Sequence, residues 1–299
     1  MRLYTTDRGI ARQGADGHFS LLDLPFDDIG ALLRYSDTDT AARALASRVV
    51  DSDHVSLAPV ILRPGKILAV GLNYLSHAEE ALEKFASIGR RDVQLPAEPN
   101  IQIVAGSAVQ ADGRPLMLPV ATPHHVDYEG ELAVVIGRAG FAICTDQAWG
   151  HVAGLSIIND VSARDIQQRA YTGDPAASIG IAKSFDTFKP LGPCLVTADE
   201  FTEKVDLRLQ TRVNGDLRQD DRTGNLIHSI PELIAYISRY HTLEPGDVIA
   251  TGSPRGAGQF TDRYLRPGDV VEISIEHLGT LTNSVQARQS TGTGQSPLR

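Results

Sequence analysis

Residues 126–137 read VDYEGELAVVIG, and the fold turns on how this stretch is placed. An extended chain sends successive side chains to opposite faces. Glu129 and Glu131 therefore share one face with Ala133 and Val135, while Tyr128, Leu132, Val134 and Ile136 share the other. Two neighbouring carboxylates repel, and burying them in an apolar strand demands protonation or a cation. A third carboxylate, Asp160, ends the apolar run of GLSIINDVSARDIQ (154–167). Carboxylate oxygens are hard donors that suit Mg²⁺, Mn²⁺ or Ca²⁺ better than zinc. Three such ligands leave positions for water or substrate. The competing reading puts Glu129 and Glu131 on a wet strand face, which alternating strands often have.

Outward from this stretch, the composition excludes several function classes. The chain has 299 residues, 42% hydrophobic and 22% charged, which is ordinary for a globular protein. Its length suggests a large domain with a smaller companion. A net charge of -9 without a basic run argues against a nucleic-acid partner. No apolar window is long enough to span a bilayer, so no membrane partner is expected. Two cysteines, Cys144 and Cys194, and a polar start, MRLYTTDRGIARQ, favour a reducing, cytoplasmic compartment.

Residues 1–62 mix short strand-like pieces with a helical stretch, TDTAARALASRVV (38–50), and end at Arg63-Pro64-Gly65. A small N-terminal α+β domain is expected there. From residue 63 to 287 strand-like runs dominate, namely KILAVGLNY, RPLMLPV, GELAVVIG, GLSIIND, GPCLVT, DLRLQTRVNG, DVIATG and DVVEISIE. Two helical stretches interrupt them, SHAEEALEKFASIG (76–89) and IPELIAYISRY (230–240). LEPGDVI (243–249) and LRPGDVV (265–271) each place a Pro-Gly turn before a strand. Residues 288–299 lack apolar periodicity and read as a disordered tail.

His124 and His125 invite a zinc reading, but adjacent strand residues face opposite sides, which favours hydrogen-bonded loop histidines. Asp127 shares the face of Glu129 and reads as a further ligand or as a partner of the ligands. Ser76 and Glu79 form an S-x-x-E capping box that would start a helix beside His77. The glycines of TGSPRGAG (251–258) lack the lysine and following helix of a nucleotide-binding loop.

GLNYLSHAEE (71–80), DYEGELAVVIG (127–137), NDVSARDIQ (159–167), IAKSFDTF (181–188), VNGDLRQD (213–220) and GDVIATGSPRGAG (246–258) occur in this order. Together they resemble the fumarylacetoacetate hydrolase family over roughly residues 64–280. The resemblance implies an α+β, mainly β fold, a mixed β-sandwich roll, and a homodimer. It also implies a divalent metal, Mg²⁺ or Mn²⁺ with Ca²⁺ as a further candidate, on Glu129, Glu131 and Asp160. His77 and Glu80 match a histidine and glutamate on a lid helix, and residues three apart share a helix face. Lys183 matches an active-site lysine, while Arg164, Gln167, Thr251 and Ser253 match substrate-contacting positions. One departure is that PNIQIVAGSAV (99–109) lacks a lysine usual in similar enzymes.

The expected reaction is metal-dependent hydrolysis of a carbon-carbon bond in a 2,4-dioxo acid, as in the breakdown of aromatic compounds. His77, oriented by Glu80, would activate water, Lys183 would steady the developing charge, and the 76–88 helix would close over the substrate. The alternative keeps the enolate and omits hydrolysis, giving a tautomerase, isomerase or decarboxylase acting on oxaloacetate or hydroxymuconate-type acids, or a sugar-acid dehydratase.

Overall fold

The computed structural model describes residues 1–14, 17–51, 54–87, 95, 97–122 and 124–288. The terminal segment expected to be disordered, apart from Arg288, lies outside the described residues. Two sheets and a short ribbon carry the fold, which is mainly β with mixed strand directions. Across the large sheet run Ala46–Val50, Phe19–Leu22, Gly9–Gln13, Arg2–Thr6, Lys189–Thr197, Val152–Asn159, Gly130–Ile136, Val248–Ala250, Ile67–Gly71 and Asn100–Val104. Val109–Gln110 joins Lys189–Thr197 off this path. The second sheet orders Asp216–Arg222, Arg208–Val213, Val270–Ile275, Gly279–Ala287 and Leu116–Leu118.

The strand Gly130–Ile136 lies near the middle of the large sheet and is buried at every position. Its even face, with Leu132, Val134 and Ile136, meets Leu209, Ile273 and Leu281 of the second sheet in one apolar core. Its odd face, with Ala133 and Val135, packs with Leu32, Ile61 and Leu195 in another. Each fully buried side chain of this size contributes about 1.5–3 kcal/mol. The wet-face reading of Glu129 and Glu131 therefore fails, because both side chains are buried.

Residues 1–62 hydrogen-bond into the large sheet through Arg2–Thr6, which pairs with Lys189–Thr197. The helix Ile29–Tyr35 starts at Asp28, whose carboxylate accepts from the Ala31 amide at 2.8 Å. It covers the odd face of the central strands. The stretch read as one helix over 38–50 divides into a helix, Thr38–Arg43, and a strand, Ala46–Val50. Pairing with Phe19–Leu22 draws the β-branched Val49 and Val50 into the sheet, overriding the helical spacing.

The strand expected over 126–137 is likewise interrupted. Val126–Asp127 pairs with Ser162–Ala163 in the ribbon, and regular pairing resumes at Gly130. At the break, the Glu129 amide donates to Asn159 Oδ1 at 3.0 Å and the Gly130 amide to Gln219 Oε1 at 3.0 Å. Side chains take these donors, and regular pairing begins only at Gly130, between the two glutamates. A Cβ on Gly130 would lie 2.2 Å from Thr211 Oγ1, which explains a glycine between the two glutamates. The other strand-like runs and the helices Leu75–Ser87 and Ile230–Ile237 lie where periodicity put them. Gly246 and Gly268 turn with φ of +89° and +95°. Among the described residues no helix is long and apolar enough to cross a membrane.

Candidate metal centre and lid

Glu129, Glu131 and Asp160 converge although 29 residues separate Glu131 from Asp160. Antiparallel pairing of Gly130–Ile136 with Val152–Asn159 sets Gly130 opposite Asn159, and the Asp160 amide donates to the Glu129 carbonyl at 2.8 Å. One ligand atom from each of the three carboxylates lies within 4.8 Å of the others, and all three side chains are buried.

Their electrostatic settings differ. Burial opposes ionisation of Glu129, but Arg164 and Lys183 outweigh it and hold its pKa below the ordinary range. Arg164 Nη2 is 2.8 Å from Glu129 Oε1, and Lys183 Nζ is 2.9 Å from Oε2. Glu131 has no cation at ion-pair distance among the described residues. Burial, with Asp160 and Glu129 adding to it, raises its pKa well above the ordinary value. Its one strong contact is the Gly252 amide, which donates to Oε2 at 2.7 Å. Among the described residues, buried Asp160 Oδ1 accepts no hydrogen bond of good geometry, and the Lys189 ammonium stands 2.9 Å from it. A hard divalent ion fits this set, since it would neutralise Glu131, which has no cation of its own, and take a remaining lone pair of Asp160.

Lys183 ends a short helix, Ile179–Lys183, capped by Ser178. Its ammonium donates to Glu129, Asp160 and Ser162 Oγ, so all three donors go to the ligands and their neighbour. The charge of Asp160, then Glu129, overcomes burial and keeps Lys183 protonated. Arg164 opens the helix Arg164–Tyr171 and donates to Asp127 Oδ2 at 2.8 Å and Gln167 Oε1 at 2.7 Å. Asp160 lies outside that helix. Asp127 also accepts amides from Tyr128, Gly258 and Gln259, so it supports the ligands from behind. Asp165 holds the preceding loop through Thr122.

The helix Leu75–Ser87, expected to act as a lid, carries His77 and Glu80, both buried. His77 faces the Phe260 ring edge-on at 5.4 Å, and its Nδ1 has no hydrogen-bond partner among the described residues. Glu80 Oε2 lies 3.6 Å from that nitrogen and instead accepts from the Gly256 amide at 3.1 Å. Ser76 does not form the expected capping box. The helix starts one residue earlier, and Ser76 donates to Asp221 Oδ2 at 2.6 Å. Residues 88 and 89 of the expected helix lie outside the described residues.

Thr251 and Ser253 reach the same region, but both hydroxyls are engaged within the protein. Thr251 donates to the Leu132 carbonyl at 3.1 Å, and Ser253 accepts from Gln219 Nε2 at 2.7 Å. Sequence reasoning missed Gln219, which also meets Gly130 and Pro254. It missed Asn73, which joins Thr251 to His228, and Lys189, whose ammonium lies 2.9 Å from Asp160 Oδ1. Burial outweighs the attraction of Asp160 and lowers the Lys189 pKa to about 8. Of the two histidines before the ribbon, His125 stacks edge-on against Tyr264 at 4.9 Å.

Residues 66–286 match the model for the fumarylacetoacetate (FAA) hydrolase C-terminal domain. Oxaloacetate tautomerase YisK of Bacillus subtilis is 39% identical over 244 residues, covering 81% of this chain and 76% of its own. The crystal structure of 5-carboxymethyl-2-hydroxymuconate delta-isomerase from Mycobacterium smegmatis is 33% identical with a TM-score of 0.74, covering 96% of this chain and 100% of that one. Maleylpyruvate hydrolase from Sphingobium sp. SYK-6, solved with manganese(II) and pyruvate, is 26% identical with a TM-score of 0.74 over 97% of this chain and 100% of its own. With the motif order, the sandwich and the carboxylate cluster, these matches establish that the chain is an enzyme of the fumarylacetoacetate hydrolase family.

Proposed function

We propose that this chain is a divalent-metal-dependent tautomerase of 2-oxo acids, with oxaloacetate as its substrate. This reverses the order of the sequence-based expectations, in which hydrolysis came first. The observation that carries it is the parting of His77 from Glu80. Hydrolysis requires an oriented base to activate water, whereas Glu80 accepts the Gly256 amide and stands 3.6 Å from His77 Nδ1, beyond hydrogen-bond distance. Tautomerisation requires only a proton carrier. The tautomerase and isomerase relatives point the same way.

Keto-to-enol exchange removes a proton from C3 and adds one to the C2 oxygen, with no atom gained or lost. The His77 imidazole takes the C3 proton and returns one to the oxygen. Mg²⁺ or Mn²⁺ on Glu129, Glu131 and Asp160 would supply a Lewis acid that steadies negative charge developing at the C2 oxygen. Lys183 and Arg164 hold the ligands in place and add positive charge that favours a dicarboxylate. The lid helix covers the proton path, with His77 only 5% exposed.

A second reading, hydrolysis of an acylpyruvate-like acid, draws on the maleylpyruvate hydrolase neighbour. NMR of the Mg²⁺- or Mn²⁺-loaded protein with oxaloacetate, acylpyruvates and hydroxymuconate-type acids separates the two. Tautomerisation conserves the mass of oxaloacetate, while cleavage of a dioxo acid with oxaloacetate exchange unchanged would favour the second reading.

A further inference from the structure

Lys189 is fully buried, though nothing in the proposed proton transfer uses it. It begins the strand Lys189–Thr197, directly after the segment that carries Lys183. Its ammonium donates to the carbonyls of Val161 and Phe188, each at 2.9 Å, and these bonds hold it 2.9 Å from Asp160 Oδ1. The opposite oxygen of the same carboxylate is taken by Lys183. Asp160 is thus clamped between two lysines, while Glu131 has none. A buried ammonium is strongly disfavoured unless its charge is used.

Formal charge shows the use. Around the cluster stand four carboxylates, Asp127, Glu129, Glu131 and Asp160, and three cations, Arg164, Lys183 and Lys189. With a divalent ion bound and all four carboxylates ionised, the cluster has one positive charge to spare. Lys189 supplies that surplus, and it touches Asp160 alone among the four carboxylates.

We infer that Lys189 is a resident counter-ion of the metal centre: it holds Asp160 in place when the ion is absent and weakens the ion's grip when it is present. The inference rests on the metal reading above. It makes Lys189 a positioning residue that lets the metal-free protein stay folded and the ion exchange.

The test is Mn²⁺ binding by calorimetry and electron paramagnetic resonance, with thermal unfolding of metal-free and metal-loaded protein. Removing the charge in Lys189→Met should tighten Mn²⁺ binding by about 10-fold or more, the scale on which groups behind the ligands act. It should also lower the metal-free melting temperature and widen the gain on adding Mn²⁺. Lys189→Arg, which keeps the charge, should bind Mn²⁺ like the wild type. A folded Lys189→Met protein that binds Mn²⁺ no tighter overturns the role of Lys189 alone. A wild type that binds no Mn²⁺ overturns the metal reading, and this inference with it. Should Lys189→Met fail to fold, the wild type decides: cooperative unfolding after chelation supports the inference, and loss of ordered structure on chelation refutes it.

Discussion

Glu80 accepts the Gly256 amide at 3.1 Å while standing 3.6 Å from His77 Nδ1. The carboxylate thus fastens the helix Leu75–Ser87 to the 251–258 loop and stands just beyond hydrogen-bond distance of the imidazole. His77→Ala should lower kcat for tautomerisation by about 100- to 10,000-fold, the range of a lost general acid-base group. Mn²⁺ affinity should stay unchanged. Glu80→Ala should act more on KM than on kcat. Steady-state kinetics beside Mn²⁺ titration checks both, and equal kcat losses in the two variants would restore the paired dyad.

Glu131 gives the metal-free protein a distinctive pH dependence. Its pKa is raised in the fold, by burial first and then by Asp160 and Glu129. The folded state therefore binds this proton more tightly than the unfolded chain. The resulting stabilisation is full below the ordinary value of 4.5 and is lost as pH rises through the raised value. Chelated protein should lose stability over that rise, and Glu131→Gln should flatten the slope. Denaturant titrations across pH measure it, and an unchanged slope in Glu131→Gln would assign the effect elsewhere.

Gln219 ties three segments together, accepting from Gly130 and donating to Ser253 and Pro254. Gln219→Leu strands these buried partners, which costs about 1–3 kcal/mol for an unsatisfied group. The loop beside the ligands should also loosen, raising KM. Urea unfolding gives the first effect and kinetics the second; wild-type stability in this variant would count against the anchor.

Gly256 has a φ of +102°, and a Cβ there would lie 2.0 Å from the Arg218 carbonyl. Gly256→Ala must displace the loop and withdraw the amide that Glu80 accepts. Turnover should fall while Mn²⁺ still binds, because no ligand sits on this loop. Full turnover in this variant would show that the lid does not depend on that bond.

Much of this centre could be read from the chain. Glu129, Glu131 and Asp160 announce themselves as charges in apolar runs, and ordered motifs place His77, Glu80 and Lys183 beside them. What escaped depends on contacts distant in sequence. Gln219 meets Gly130 from 89 residues away, and Gly258 meets Asp127 from 131. A single glutamine or lysine leaves no periodic trace, so neither Gln219 nor Lys189 could be told from a surface residue. Arg164 was read as a substrate contact, yet its guanidinium binds Asp127, Glu129 and Gln167. The break at Tyr128 and Glu129 was hidden because the donors that interrupt pairing bond to Asn159 and Gln219.

The proton-transfer account is tested most directly by stopped-flow decay of the oxaloacetate enol absorbance, with the final products read by NMR. Mg²⁺- or Mn²⁺-loaded wild type should accelerate enol loss and leave oxaloacetate intact, whereas His77→Ala with the same metal content should not. Enol decay at the uncatalysed rate in the metal-loaded wild type, or release of pyruvate in step with enol loss, would contradict it.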